Sequence, residues 1–374
     1  MQKPIIVDNP SAFHRMVEHL SKQPSIAIDT ESNSLHAYRE RVCLMQISST
    51  QRDYLVDPLA LVDLSEFGLI LSNAAIQKVF NAGDYDIACL KRDFGFTFVN
   101  LFDTMLAASA LGIANLGYGT LVENYLSVTL EKKYQRANWG ERPLKPEMLI
   151  YAQADSHYLI PLRDALLPEL QAADRLEILL EDSEALGRLI PPMKNHAENL
   201  WRVKGVISLK PKALSLLQAL NHAREELANT ADQPLFKIIS DQALVEIAQT
   251  QPTYIQELDL LPSLSRGQVR RYGQTIMATL ERWRQDPAVV SKPVNNRLTA
   301  QQTLRRDALS DWRKVQGAAE GVPSNVILPK GLLDDLTFKT VKNAHELSEL
   351  MKLSPIRFER YGTQIMEILE KVNL

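Results

Sequence analysis

The sequence predicts an α/β domain followed by two small all-α domains. In the first third of the chain, short β-rich segments give way to strands that alternate with helices, a pattern typical of a mixed sheet with helices on its faces. In the second half, one helical pattern occurs twice, and such a repeat indicates two copies of one folding unit. We therefore expect domains at residues 1–204, 208–286 and 299–374.

The β-rich segments come first. Three predicted strands are separated by short spacers, which favours an antiparallel meander: Ser25–Thr30, Val42–Ile47 and Tyr54–Asp57. Next come a strand at Lys78–Asn81 and a helix from about Asp84 to Asp93, which Phe94-Gly95 ends. A second strand–helix passage follows through Phe98–Val99 and Phe102–Ala107, and a long helix is predicted from Pro146 to Leu167.

The repeat in the second half has a constant offset. Arg271-Tyr272-Gly273 recurs as Arg360-Tyr361-Gly362, 89 positions later, and the same offset pairs Arg224 with Arg313 without a gap. Many other paired positions are apolar and lie at helical spacing, so each copy is predicted to be a helical bundle with its own core. The segment from Asp286 to Thr299, which contains Pro293, is the predicted linker.

Composition excludes several classes of protein. No apolar run approaches the roughly 18 residues that cross a bilayer, and the two cysteines, Cys43 and Cys89, form no disulfide framework. We therefore expect a cytoplasmic protein without a membrane partner. Net charge is −3; residues 205–374 carry 22 Lys and Arg against 19 Asp and Glu, a balance too small to indicate a function.

Asp29 and Glu31 stand at the end of the first predicted strand. Side chains two positions apart on a strand point to the same face, so both carboxylates can approach one cation. Strands often end in polar residues, however, and the pair alone does not establish a site.

Two further acids fall on predicted helices. Asp86 follows Asn81 at a strand-to-helix junction, where open α/β sheets place their ligands, although Asp84 there has an ordinary role available as a helix N-cap. Tyr151 and Asp155 are four residues apart on a helix, which puts the phenol beside the carboxylate. Taken singly, each segment is explained as well by a capping or solvated side chain.

The combination of four carboxylates from three segments predicts a metal site. Mg²⁺ and Mn²⁺ prefer oxygen ligands, and two such ions can stabilise both the attacking and the leaving oxygen of a phosphodiester. Four anions packed together without cations raise one another's pKa. We therefore expect two divalent metal ions, Mg²⁺ or Mn²⁺, with the Tyr151 phenol orienting the attacking water.

Residues 25–167 resemble the DEDD exonuclease superfamily, in particular its tyrosine subclass. Its three motifs are matched, in order, by Asp29-x-Glu31, Asn81 with Asp86, and Tyr151-x-x-x-Asp155. The resemblance implies a ribonuclease H-like mixed sheet with flanking helices, and it assigns the metal-ligand role to Asp86 rather than Asp84. It also implies one catalytic set, Asp29, Glu31, Asp86, Tyr151 and Asp155, in which the four acids hold metal. The histidine subclass has a His where this chain has Ile150, and we interpret His157 as structural.

The duplicated half resembles the HRDC module, so the expected fold is an α/β domain followed by two all-α HRDC-like bundles. This arrangement is similar to that of the bacterial ribonuclease D family. The resemblance implies hydrolytic 3′-to-5′ trimming of structured RNA precursors, notably tRNA, with release of 5′-mononucleotides. RNA is then the expected partner, and we expect the protein to be a monomer.

Substrate contacts are predicted in an irregular, basic and aromatic stretch that includes Lys132, Arg136 and Trp139. In the repeated half, Trp283 and Trp312 could stack bases, but their helical positions favour the core. A set of arginines there gives candidate phosphate contacts that would not read sequence: Arg266, Arg270, Arg271, Arg282, Arg284, Arg305 and Arg306.

Two other functions stay open at this point. A DNA 3′-to-5′ exonuclease of the same superfamily would carry the same acids, because these act on the phosphate and not on the sugar. A non-catalytic RNA-binding scaffold would use the carboxylates only as caps and solvated groups. A Rossmann-type nucleotide enzyme is disfavoured, because no glycine-rich phosphate loop follows the first strand.

Overall fold

A computed structural model describes residues 1–191, 200–288, 290 and 297–373. The chain divides into two compact units, one formed by Met1–Glu31, Val42–Pro191 and Asn296–Leu374 and the other by Ser32–Arg41 and Pro192–Asn295. The domain boundaries expected from the sequence stay a prediction, and Pro293 of the expected linker lies outside the described residues. No helix in the described ranges is both long and apolar enough to cross a bilayer.

Six strands form one mixed sheet in the order β1-β4-β3-β2-β5-β6. The strands are β1 Ile5–Val7, β2 Ser25–Ser32, β3 Val42–Ser48, β4 Asp53–Val56, β5 Gln77–Phe80 and β6 Leu101–Asp103. The pairs β1–β4, β2–β5 and β5–β6 are parallel, whereas β3 and β4 are antiparallel. The expected mixed sheet is confirmed, because parallel and antiparallel pairs occur together.

Helices cover both faces of the sheet. They are α1 Pro10–Leu20, α2 Ser65–Leu71, α3 Asp84–Phe94, α4 Thr104–Ala110, α5 Tyr118–Leu126, α6 Pro146–His157, α7 Leu159–Ala172 and α8 Leu176–Gly187. Successive residues of β2 enter different cores: Ile26 and Ile28 pack in a cluster with α1, α2 and α3, whereas Ala27 packs with α4, α5 and α7. This alternation follows from the two-residue period of a strand and shows that β2 is buried on both faces.

The sequence patterns missed or misplaced several elements. β1 and α1 were not predicted, and Phe98–Val99 lies in irregular backbone before β6. The helix expected from Pro146 to Leu167 is two helices that separate at Tyr158. Asp84 does not take the N-cap role that was available to it, since the cap position of α3 is Gly83 and has no side-chain hydrogen bond.

The second half contains the two expected helical copies. The first consists of α9 Pro211–Ala231, α10 Leu235–Ile238, α11 Asp241–Thr250, α12 Ile255–Leu258 and α13 Arg266–Gln285. The second consists of α14 Ala300–Glu320, α15 Ser324–Ile327, α16 Lys330–Phe338, α17 Ala344–Leu350 and α18 Pro355–Asn373. Every helix of the second copy begins 89 positions after its counterpart, so the offset in the sequence is an offset in structure.

One repeated arginine has the same role in both copies. Arg224 donates from Nη1 to the Ile239 carbonyl at 3.0 Å, and Arg313 donates from Nη1 to the Leu328 carbonyl at 2.9 Å. In each case a long helix is tied to the end of the short helix that follows it. The repeated Arg is therefore a structural residue that satisfies a backbone acceptor.

Several residues considered for RNA contact belong to the cores of these bundles. Trp283 is 4% exposed and donates from Nε1 to Ser215, and Trp312 packs edge-on against Tyr361. Trp283 is thus a core residue, as its position favoured, and Trp312 is half-buried against the core of the second copy. The proposed phosphate contact at Arg305 is wrong, because its side chain is 3% exposed and donates to backbone carbonyls.

The second helical copy packs against α8 of the α/β domain within one compact unit. The Arg357 guanidinium is 1% exposed and contacts Glu181 at 2.6 Å and Asp182 at 2.8 Å. The backbone N–H of Ile356 also donates to Glu181, at 2.8 Å. Nearby, Arg175 pairs with Glu320. Buried ion pairs of this kind are costly to break singly, because the remaining partner stays charged and desolvated.

We expect Arg357→Met to lower the free energy of unfolding by about 3–5 kcal/mol, because Glu181 would remain buried without its cation. Arg360→Met is the control: its partner Asp174 is 85% exposed, so the loss should stay below about 1 kcal/mol. Chemical denaturation of both variants measures the difference. Equal losses would show that the Arg357 contacts do not stabilise the packing of the second copy.

Candidate active site

The first two acids of the predicted site lie on the central strand β2. Asp29 and Glu31 are both half-buried, and Thr30 between them is buried on the other side of the strand. The Thr30 hydroxyl donates a hydrogen bond to the carboxylate of Asp86. β2 therefore presents two carboxylates and also holds a third through a neighbouring hydroxyl.

A tight loop at the start of α3 positions Asp86. Asp103 accepts the N–H of Gly83 at 2.8 Å and also caps α4. A Cβ on Gly83 would lie only 2.6 Å from the Cβ of Phe80, so the loop needs glycine there. As a result Asp86 is buried, whereas Asp84, one of the two acids considered for this motif, is exposed.

Tyr151 and Asp155 lie one helical turn apart on α6. Tyr151 is 8% exposed, and its phenol is hydrogen-bonded to the Asp155 carboxylate. Burial raises the pKa of Tyr151, and Asp155, Glu31 and Asp29 raise it further. The phenol therefore stays protonated in the metal-free protein and acts as a hydrogen-bond donor.

The four predicted acids interact with one another. Burial is the largest cause of every shift: it raises the pKa of Asp29 well above its usual value, that of Glu31 to about 9, that of Asp86 to about 6 and that of Asp155 to about 7. Asp86 and Asp155 each raise the pKa of both Asp29 and Glu31. Like charges in one buried region disfavour ionisation, so the fold has brought all four acids together.

The chemistry of this group fits a hard divalent cation. All four donors are carboxylates, the ligand type that Mg²⁺ and Mn²⁺ prefer, and their mutual repulsion is what a bound cation relieves. Across the part of the chain that the structure describes, no three His, Cys, Asp or Glu side chains are already arranged to hold a metal ion. The fit therefore rests on the donor chemistry and the electrostatics, and the metal-ligand role of each acid stays a prediction.

Tyr151 is supported by two aromatic rings from the irregular stretch before α6. Tyr134 packs edge-on against it at 5.9 Å between ring centroids, and Trp139 lies at 6.1 Å with a tilt of 33°. Trp139 is only 1% exposed, so its ring offers no face to a base, contrary to its expected substrate contact. Lys132 and Arg136 are exposed, and for them the expected contact stays a prediction.

His157 lies on the opposite side of α6 from this group. Its Nδ1 is 2.9 Å from Asp53 Oδ2, and Gln153 donates to the same oxygen at 2.6 Å. These contacts hold Asp53 of β4, whose pKa they lower against the opposing effect of burial. His157 is structural, as the sequence suggested.

Three residues that contact or support the acids were not predicted from the sequence: Thr30, Asp103 and Tyr118. Asp103 carried a signal, since an Asp between a strand and a helix is typical of an N-cap. Thr30 and Tyr118 act across 56 and 36 residues of chain, and no local pattern reveals such contacts.

Comparisons with known proteins identify the families to which the two parts of the chain are similar. Residues 4–171 match the 3′-5′ exonuclease family, and residues 213–286 and 302–369 match the HRDC domain. Ribonuclease D of Sphingobium indicum is 33% identical over 267 residues, which are 70% of this chain and 68% of that protein. Exosome complex exonuclease RRP6 of Saccharomyces cerevisiae is 30% identical over 346 residues, 88% of this chain, but the chain spans only 44% of RRP6.

A solved structure gives the same result. The structure of Escherichia coli RNase D, described as an exoribonuclease involved in structured RNA processing, matches with a TM-score of 0.73 and 25% identity, covering 98% of this chain and 99% of that one. The acid group on a mixed sheet, followed by HRDC bundles, defines the class of hydrolytic 3′-5′ exoribonucleases. Within that class, the chain belongs to the ribonuclease D family.

The raised pKa values predict how the metal-free protein responds to pH. A carboxyl whose pKa is higher in the folded than in the unfolded protein stabilises the fold below the unfolded value of about 4, and this stability is lost as pH rises through the folded value. With folded pKa values of about 6 for Asp86, 7 for Asp155 and 9 for Glu31, EDTA-treated protein should lose stability between about pH 4 and pH 9.

We expect this loss to shrink in Asp155→Asn, because one of the repelling charges is gone. Melting temperatures of EDTA-treated protein and variant, measured from pH 5.5 to 9, should diverge as pH rises, with the variant becoming the more stable. Asp84→Asn, which changes an exposed acid two residues from Asp86, is the control and should follow the unchanged protein. Parallel curves for Asp155→Asn would contradict the repulsion.

Proposed function

We propose that this protein hydrolyses RNA from its 3′ end and releases 5′-mononucleotides, with Asp29, Glu31, Asp86 and Asp155 holding two divalent metal ions, Mg²⁺ or Mn²⁺. The observation that carries the proposal is that Asp86 and Asp155 both raise the carboxyl pKa of Asp29 and of Glu31, which groups the four acids in one region. When bound, the two cations supply the positive charge that stabilises the attacking and leaving oxygens of the phosphodiester.

Tyr151 has a separate role in the proposed reaction. Its phenol remains protonated and lies against Asp155, so it can donate a hydrogen bond to the attacking water and fix its position. The rings of Trp139 and Tyr134 pack against the Tyr151 ring and restrict its movement. Orientation of this kind lowers the barrier without adding charge to the site.

A cleft of about 380 Å³ beside Tyr151 and Asp155 provides room for the terminal nucleotide. Its walls include the apolar side chains of Val128, Leu130 and Ile150, and Lys133 lines it as well. Apolar walls accept the face of any base, which suits an enzyme that removes successive nucleotides without reading sequence. We propose that Lys132 and Arg136, which are exposed in the same stretch, contact backbone phosphates.

We propose structured RNA 3′ ends, with tRNA precursors among them, as the substrates. The support is the ribonuclease D relatives and the likeness to the Escherichia coli enzyme. We further propose a location in the cytoplasm, since Cys43 and Cys89 are buried free thiols. We also propose that the protein is a monomer. We also propose that the exonuclease domain spans residues 1–204 and that the two HRDC domains span residues 208–286 and 299–374.

Asp155→Asn should reduce trimming of a 3′-extended RNA by more than about a hundredfold, because loss of a group that contacts metal costs more than the 10- to 100-fold loss typical of its supporting contacts. Asp84→Asn should retain the starting activity. A 5′-labelled RNA resolved on a gel reports the rate and the direction of shortening. Comparable rates for the two variants would refute the assignment of Asp155.

Removal of divalent metal should stop the reaction. EDTA-treated protein is expected to regain activity with Mg²⁺ or Mn²⁺, because the donors are all oxygen atoms. Matched RNA and DNA oligonucleotides in the same assay test whether the protein prefers ribose or deoxyribose in its substrate, and the RNA should be degraded faster. Activity that neither ion restores would refute the ligand set, and faster loss of DNA would make the protein a deoxyribonuclease.

A further inference from the structure

The helix that carries Asp155 ends two residues after it, at His157. In a continuous α-helix, the N–H of Tyr158 would bond to the carbonyl of Ala154, four residues earlier. Here α6 ends at His157, α7 begins at Leu159, and the N–H of Tyr158 bonds to the carbonyl of Ser156. The ladder of backbone hydrogen bonds is thus interrupted directly after the site residue Asp155.

The hydroxyl of Tyr118 occupies this interruption. It donates a hydrogen bond to the Ala154 carbonyl with an oxygen–oxygen distance of 3.0 Å, so it satisfies the acceptor that the helix leaves unpaired. Burial raises the pKa of Tyr118 well above its usual value, and a hydrogen bond from the Tyr158 backbone opposes that rise. The break itself has a local cause, since Pro161 in the first turn of α7 has no N–H to donate to the His157 carbonyl. The Tyr118 hydroxyl binds the Ala154 carbonyl, which this break leaves without its helical partner.

Tyr118 is also close to the acids themselves. After burial, the next largest causes of its raised pKa are the charges of Asp155 and Asp29. Its ring packs at the edge of the apolar cluster that contains Leu121 and Ile160, so the hydroxyl is held by a rigid side chain with few rotatable bonds. The phenol thus connects the first residue of α5 to the last turn of α6, beside the group of carboxylates.

We infer that Tyr118 is a positioning residue, whose hydroxyl fixes the last turn of α6 so that the Asp155 carboxylate faces Asp29 and Asp86. Ala154 immediately precedes Asp155 in the chain, so any rotation of this turn moves the carboxylate directly. This inference rests on the proposed function, because it concerns the metal-binding role of Asp155. It assigns no chemical step to Tyr118, which donates to a backbone carbonyl.

The same helix α5 supplies a matched control. Tyr125 also has a half-buried ring in the cluster, and its hydroxyl donates to Glu169 at 3.0 Å, away from the four acids. Tyr118→Phe and Tyr125→Phe therefore each remove one hydroxyl and one hydrogen bond and keep an aromatic ring. A difference between them reports the position of the hydroxyl, because the loss of polarity is the same.

The experiment measures Mn²⁺ binding to the full-length protein by calorimetry, and RNA trimming at several Mn²⁺ concentrations. Tyr118→Phe should weaken Mn²⁺ binding by about 10- to 100-fold, the usual effect of losing a contact that orients a metal ligand. At low Mn²⁺ its kcat should fall with little change in KM for RNA, and high Mn²⁺ should restore kcat. Tyr125→Phe should match the unchanged protein in both measurements.

Two outcomes separate this inference from the proposed function. If Tyr118→Phe binds Mn²⁺ and trims RNA like Tyr125→Phe, while Asp155→Asn loses both, Tyr118 has no positioning role although the site stands. If Asp155→Asn also retains metal binding and activity, the proposed function itself is wrong. Near-UV circular dichroism checks the fold of each variant, and Tyr118→Phe keeps the ring among its apolar neighbours. A loss of kcat that high Mn²⁺ does not restore would also overturn the inference.

Discussion

Repulsion among four carboxylates, one buried and three half-buried, is the constraint on which the site of the α/β domain depends. Burial alone makes each acid harder to ionise, and Asp86 and Asp155 make the ionisation of Asp29 and Glu31 harder still. A structure that holds such carboxylates close together at neutral pH needs contacts that counteract their repulsion. The supports found around them serve this purpose: Thr30 binds Asp86, the Asp103 loop fixes the start of α3, and Tyr151 donates to Asp155.

Three of the four acids could be proposed from local rules, whereas the choice of Asp86 over Asp84 came from the family resemblance. Asp29 and Glu31 share one face of β2 through the two-residue period of a strand, and Tyr151 and Asp155 share one face of α6 through the four-residue spacing. The repeat could also be predicted from the sequence. Arg224 and Arg313 are identical because each donates the equivalent hydrogen bond in its own copy. The metal-ligand roles could be inferred only by adding family likeness to these positions.

The features that escaped prediction depend on contacts between distant segments. β1 has three residues, of which only Val7 is buried, so its sequence has no alternating pattern to detect. The separation of α6 from α7 does have a local mark, because Pro161 in the first turn of α7 has no N–H for the carbonyl four residues earlier. The Tyr118 contact at this break comes from 36 residues earlier in the chain and has no such local signal. Trp139 looked available to a base because its neighbours Lys132 and Arg136 are polar, yet tertiary packing places its ring against Tyr151.

The two helical copies show that a repeated fold need not repeat its contacts. Gln268 and Arg357 occupy equivalent positions, and each donates a side-chain hydrogen bond to the equivalent short helix, to the Ile238 carbonyl and the Val326 carbonyl respectively. Arg357 is longer and charged, and it reaches Glu181 of α8 as well. At this position the second copy therefore has both an internal tie and a tie to the α/β domain, whereas Gln268 donates within its own bundle. Arg357 and Arg305 are both buried, and their side chains bond to carboxylates and backbone carbonyls. Their positive charge therefore stabilises the protein, and any contact with RNA in the second copy must come from exposed basic side chains.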